Sequence, residues 1–316
     1  MLQRLSLVAL VGGFAALAQA QPPQIQHAQN QTNQSVAQSA IDAVIGQARS
    51  SRAKARELKA QSDRLAANGD TNGAMDVRLQ MLDFDSAKLS NLSALTFYAI
   101  QDLALDDISG IAAHLDAASS RKYAAQLLEI DGRLFSITDL LKHQKAENAK
   151  QLKGISISPP AWKRAIAVLG FNEKDRATLN QTPVAQIQSN IERFYDLSLA
   201  LAAQPYLAQP RPLDFDLDPY SLNFVVPHVA RRFLWARAKT ERLLLVAALQ
   251  DRADRLEKAA TPSPLPPDPF GSGPVRAKDG AIYSVGPDTT DDGGKPVPNP
   301  KRLLPADKGD VLAPLF

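Results

Sequence analysis

The chain reads as mainly α-helical, a multi-helix bundle that ends in a small C-terminal β-hairpin module and an extended Pro-rich tail. Three observations predict this. Proline is nearly absent from the first two thirds: between Gln24 and Gln204 only Pro159, Pro160 and Pro183 occur, whereas twelve of the 22 prolines lie within 262–316. A residue without an N–H and with φ fixed cannot recur inside helices, so the front of the chain is free to be helical and its end is not. Apolar residues recur near the 3.6 period, as in Met75, Leu79, Leu82, Leu89, Leu92 and Leu95. The Asp-Gly pair Asp279-Gly280 sits between short apolar stretches and predicts a hairpin.

The elements follow in order. Residues 1–20, MLQRLSLVALVGGFAALAQA, carry Arg4, an apolar run from Leu5 to Leu17 and the small-x-small sequence Ala18-Gln19-Ala20. This is the pattern of a secretory signal peptide cleaved after Ala20, and the run is too short to serve as a membrane anchor. The expectation is a periplasmic or secreted protein with no transmembrane anchor in the mature chain. Residues 21–34 form a Gln/Asn-rich linker expected to be disordered.

A helical domain is then expected over 35–204. Its first helix runs from Ser35 to Ala67 and stops at Asn68-Gly69-Asp70. A second spans Ala74 to Leu103 and is interrupted at Asp106-Asp107 and Gly110. Ser119 or Ser120 is expected to cap a third, ending near Asp131. Ser136, with Asp139 at its third helical position, caps a fourth, with Gly154 past its end. Pro159-Pro160 opens a short helix closed by Gly170, and Thr182-Pro183 starts one that reaches about Ala203.

A Pro-rich connector occupies 205–226. The longest helix follows, from His228 to Ala260, and with the hairpin it makes a unit over 227–294. Residues 295–316 read as an extended tail.

Composition narrows the chemistry. Lys and Arg number 36 against 33 Asp and Glu, a net charge of +3, with no dense basic block to hold nucleic acid. Without cysteine, disulfides, thiol catalysis and thiolate metal sites are excluded. The four histidines, His27, His114, His143 and His228, are widely separated. His143 and Glu147 share a predicted helix face but lack HExxH spacing, and no GxSxG, Walker or GxGxxG segment occurs. Glu147, Glu192 and Asp196 are the carboxylates from which a scattered catalytic site would have to be built, and no spacing favours one. Asp214-Phe215-Asp216-Leu217-Asp218 opens like a calcium loop but places Pro219 and Val225 where Gly and Glu are needed. It reads as a connector.

The long helix carries Arg231, Arg232, Arg237, Lys239 and Arg242 opposite a wide apolar stripe. Such a helix binds membranes or partner helices when its stripe is free, and forms a core when it is covered. The width of this stripe favours the core.

The tail has the most specific string: Pro267-Asp268-Pro269-Phe270-Gly271, the hairpin, then Tyr283-Ser284-Val285-Gly286-Pro287-Asp288-Thr289-Thr290-Asp291-Asp292-Gly293-Gly294. The first segment is expected to turn Phe270 onto a small core, with Tyr283 and Ile282 on opposite faces of a strand. The string resembles the C-terminal end of type II secretion major pseudopilins, and of exported bacterial proteins in which a helical body precedes the same hairpin. The resemblance covers about thirty residues. It implies a calcium-binding loop, with Asp288, Asp291 and Asp292 as the metal ligands by position; acidic positions further on are replaced by Gly293-Gly294-Lys295. The N-terminus departs from the family: after Gly13-Phe14 the fifth residue is Ala18 where Glu is required, so assembly into a pilus by that route is excluded.

The functional expectation is an exported binding or scaffolding protein without catalysis of its own, with an envelope protein as partner. The alternative is an accessory component of a secretion or pilus-like envelope system with a calcium-stabilised C-terminal loop.

Overall fold

The computed structural model describes residues 46–83, 91–155, 162, 163, 166, 171–206, 218–221, 227–314 and 316. The expected signal peptide, the Gln/Asn-rich linker, the start of the first helix, the Pro159-Pro160 opening and most of the Pro-rich connector lie outside the described residues. The architecture is mainly helical with a small antiparallel sheet near the C-terminus, as the proline distribution predicted.

Helix α1 spans 46–67 and ends where expected, at Asn68-Gly69-Asp70. Gly69 adopts the left-handed region at φ 82°, and the Asp70 side chain then accepts the Gly73 N–H to cap α2, Thr71–Leu82. The predicted helix from Ala74 to Leu103 is two helices: α2 closes at Asp83, and α3 runs Asn91–Leu105. An apolar period reports which residues face a core, and helices packed on one core share a stripe. A break between them therefore leaves no mark in the periodicity. Asp107, at φ 54°, turns the chain into the short α4, Ile108–Ala112, so Gly110 lies within a helix where an interruption was expected.

Helix α5, Ala117–Arg133, is capped by Asp116 and not by Ser119 or Ser120. The Asp116 carboxylate accepts the Ser119 N–H at 2.7 Å. An anion meets the N-terminal dipole better than a hydroxyl does. Ser136 caps α6, Ile137–Ile155, as predicted: its Oγ accepts from Asp139 N at 3.0 Å, while Asp139 Oδ2 accepts from the Ser136 hydroxyl and N–H. This is the reciprocal capping box. The helix passes through Gly154, which was expected beyond its end.

The sequence reading missed α7, Glu173–Gln181, whose cap Asn172 accepts the Asp175 N–H at 2.8 Å. The motif Asn172-x-x-Asp175 was a usable signal. Thr182 consequently ends α7, its hydroxyl donating to Thr178 O, and Pro183 is itself the N-cap of α8, Val184–Ala202. Helix α9, Pro227–Glu257, has 31 residues, about 46 Å at 1.5 Å per residue.

Strand β1, Arg276–Lys278, pairs antiparallel with β2, Ala281–Ser284, with Lys278 opposite Ala281. Asp279 and Gly280 between them both have positive φ, 51° and 80°, the two-residue turn that Asp-Gly favours. The tail is not extended throughout. It makes a 3-10 turn at Pro300–Arg302 and returns as β3, Val311–Leu312, with Tyr283 opposite Leu312. Val311-Leu312 is a proline-free stretch, so the tail can supply a ladder N–H here.

Three apolar clusters form the interior, and α9 contributes to all of them. Ala238 joins the cluster of α6, α7 and α8. Leu245, Val246 and Leu249 join that of α1 to α5. Phe233, Ala236, Leu244, Ala247 and Ala248 carry the sheet and tail. The buried run Leu243–Leu249 is covered on every side, and α9 is the core helix that its wide stripe favoured. Among the described residues no helix is long and apolar enough to cross a membrane.

Candidate functional site

The C-terminal string forms a module on α9, and its specific residues hold backbone in place. Asp268 is buried and accepts hydrogen bonds from Phe270 N at 3.0 Å, Val285 N at 2.9 Å and Ser284 Oγ at 2.6 Å. One carboxylate thus ties the Asp-Pro-Phe-Gly turn to the end of β2. The turn delivers Phe270 onto Tyr206, edge-on at 4.8 Å between centroids, and against Phe233. Gly286, at φ 71°, lies so close to the tail that a Cβ there would stand 2.3 Å from the Gly309 carbonyl oxygen.

The three predicted calcium ligands serve separate local bonds. Asp291 pairs with Arg276 and accepts from Tyr283 Oη at 3.1 Å and Gly293 N at 3.0 Å. Asp288 accepts the Thr290 N–H at 3.1 Å. Asp292 is exposed, and its N–H donates to the buried Asp310, which also accepts from Gly294 N at 2.6 Å. Burial holds the Asp310 carboxyl above the ordinary range despite these two N–H donors, and Asp292 and Asp288 push the same way. Among the described residues no group of three or more carboxylates or imidazoles is arranged to hold a metal ion. Asp288 and Asp292 line one depression with Lys295 and Lys308, while Asp291 is paired with Arg276.

Of the other sequence candidates, Glu192 and Asp196 line one open depression on α8. His114, Glu147, Glu192 and Asp196 are exposed, and His143 is half-buried on α6. Asp196 pairs with Lys145, bracing α8 against α6, and Glu192 accepts from Gln188. Asp218, the last residue of the calcium-like connector, caps the turn at Ser221 and accepts from Asn190. The cations of α9 are likewise engaged. Arg232 donates to the carbonyls of Gln204 and Pro205, while Lys239 and Arg242 converge on Asp131.

A well-formed depression lies where the helical body meets the module. It has a volume of about 700 Å³ and is lined by residues of α3, α4, α9 and the tail. Its floor is apolar: Ile108, Leu244, Leu245 and Val311 are buried there, and Leu103, Leu105, Leu312 and Pro314 are half-buried in its walls. Three of its charged side chains meet. Arg237 donates from Nε to Glu241 Oε1 at 2.8 Å, one helical turn on, and from a terminal nitrogen to Asp102 Oδ1 of α3 at 3.1 Å.

Desolvation raises both carboxylates above their ordinary range, and Arg237 only partly offsets it. The same desolvation lowers the Arg237 guanidinium, but Glu241 and then Asp102 more than reverse this and hold it above its usual value. Sequence reasoning placed Arg237 on a polar face and passed over Asp102 and Glu241. The i,i+4 pairing of Arg237 with Glu241 was legible, but the convergence with Asp102 depends on how α3 packs against α9.

Against family models, curated proteins and solved structures, the chain has no match.

Proposed function

We propose that the chain is an exported binding or scaffolding protein that performs no catalysis of its own. One observation carries the reading: in the groove between body and module, Asp102 and Glu241 are both tied to Arg237 over an apolar floor. Asp102 and Glu241 share the guanidinium of Arg237, an arrangement suited to recognising a surface. A general base would need a carboxylate free to take a proton from a substrate. Export is supported by the n-region, apolar run and small-x-small sequence of residues 1–20.

The test is a broad hydrolase and transferase screen of the purified protein. No turnover is expected; turnover abolished by Glu241→Gln would overturn the reading. Sequencing the N-terminus of the protein recovered from the periplasm should begin at Gln21.

A second reading, an accessory component of a secretion or pilus-like envelope system with a calcium-stabilised C-terminal loop, is supported by the pseudopilin-like string of the tail, whose Asp288 and Asp292 line one depression. It requires calcium to raise the melting temperature and Asp288→Ala to abolish that rise. Coincident melts in calcium and in chelator would leave the first reading alone.

A further inference from the structure

The groove between body and module is acidic in a chain that is otherwise slightly basic. Asp102, Asp106, Asp107 and Glu241 line it, with Arg237 as the one cation among its described lining residues, whereas the chain as a whole carries +3. Asp106 is approached by Lys59 of α1 at 3.7 Å, which tempers one end of the groove. At the other end two carboxylates compete for one guanidinium, and each accepts a hydrogen bond from it.

We infer that this groove docks a short segment of a partner polypeptide in which a lysine or arginine is flanked by apolar side chains. The cation would lie at Asp102 and Glu241, sharing them with Arg237, while its neighbours would cover Leu103, Leu105 and Leu312. Complementary charge fixes the register of such a segment, and the apolar floor supplies the contact area. The acidic lining repels phosphate, so nucleic acid is the wrong partner. The groove is open to solvent, whereas a small-molecule site encloses most of its ligand. An extended segment needs no enclosure.

The inference rests on the binding reading proposed above. Substrate turnover at the groove would remove both, and failure to bind peptide would remove this inference alone. The experiment is fluorescence anisotropy of the purified chain with three labelled short peptides, one of Lys and Leu, one of Glu and Leu, and one of Lys and Ser. Only the Lys/Leu peptide is expected to bind saturably, with affinity falling as salt rises. Asp102 is about half exposed, so Asp102→Lys should leave the melting curve intact. It should weaken that peptide about tenfold and admit the Glu/Leu peptide. Arg237→Gln, which removes the competing cation, should tighten the Lys/Leu peptide by a few-fold. Absence of saturable binding, binding indifferent to salt and to both substitutions, or equal binding of the Lys/Ser peptide would overturn the proposal.

Discussion

The helical body and the C-terminal module solve the same problem, unpaired backbone groups at the ends of elements, with opposite charges. In the body the buried cation Arg78 collects acceptors. Its guanidinium donates to the carbonyls of Leu103, Ala104 and Asp106 at 2.9, 3.1 and 3.0 Å, to Ser62 Oγ at 3.0 Å, and to Asp63 at 2.7 Å. Those carbonyls belong to the end of α3, where the helix dipole is negative. In the module the buried anion Asp268 collects donors from a turn and a strand end. Helices satisfy their backbones internally except at their ends, so one arginine suffices for a whole corner of the body. Strands of three, four and two residues satisfy little of their own backbone, and the module leans on carboxylates throughout.

The comparison is sharpened most by removing Arg78. Arg78→Met keeps much of the side-chain volume but leaves three carbonyls, Ser62 and part of Asp63 without their donor. A loss of about 3–5 kcal/mol is expected in chemical denaturation. Arg78→Lys should recover only a minor part, because an ammonium cannot span the same fork of acceptors. A loss below about 1 kcal/mol would break the comparison, since it would make the corner self-sufficient.

Asp268→Ala should cost about 2–4 kcal/mol, as two buried N–H groups and one hydroxyl lose their acceptor. Here the distribution matters as much as the size. Hydrogen exchange is expected to accelerate at Phe270, Val285 and the β2 amides while those of α2 and α5 keep their protection. Uniform acceleration would mean that the module and the body open as one unit.

Gly286→Ala should be next, at about 1–3 kcal/mol, because its positive φ and the approach of the Gly309 carbonyl both exclude a Cβ. Gly110→Ala in α4 meets nothing within 4 Å and serves as the control, expected to be neutral or slightly stabilising. Equal melting temperatures for the two variants would break the assignment of Gly286 as a contact point.

The smallest effect is expected at the groove. Glu241 has a folded-state pKa above its unfolded value, so between the two the native state holds the extra proton and stability falls as pH rises through that window. Glu241→Gln does not titrate. It should therefore raise stability by up to about 1 kcal/mol at pH 7, and the gain should vanish as pH falls below the ordinary glutamate value of about 4.3. A destabilised variant at pH 7 would show that the ion pair with Arg237 outweighs the burial.

Much of the fold was legible because its signals are local. The Ser136-Asp139 capping box and the Asp279-Gly280 turn each act within four residues, and each is found where the sequence placed it. The errors arose where local signals compete or are shared. Thr182 is next to Pro183 and reads as a cap, yet it ends α7 because Asn172 had already started that helix. Met75 to Leu95 reads as one helix because α2 and α3 face a common core. The tail reads as extended because proline dominates it, although two proline-free residues are enough for β3. The candidate groove was hardly legible at all. Asp102 and Glu241 are 139 positions apart in a sequence that gives each an ordinary polar helix face.

The sequence by itself determined that the described residues before the proline-rich end would be mainly helical, where several helices begin and end, and that Asp279-Gly280 would turn a hairpin, because caps, prolines and turns act over a few bonds. Only the tertiary structure decided which elements would cover Leu243–Leu249 of α9, that Arg78 and Asp268 would become the buried centres of their regions, and that two distant carboxylates would share one guanidinium. Those outcomes depend on which faces meet, and desolvation, which raises the free-energy cost of every unpaired charge or N–H, acts only once they have met.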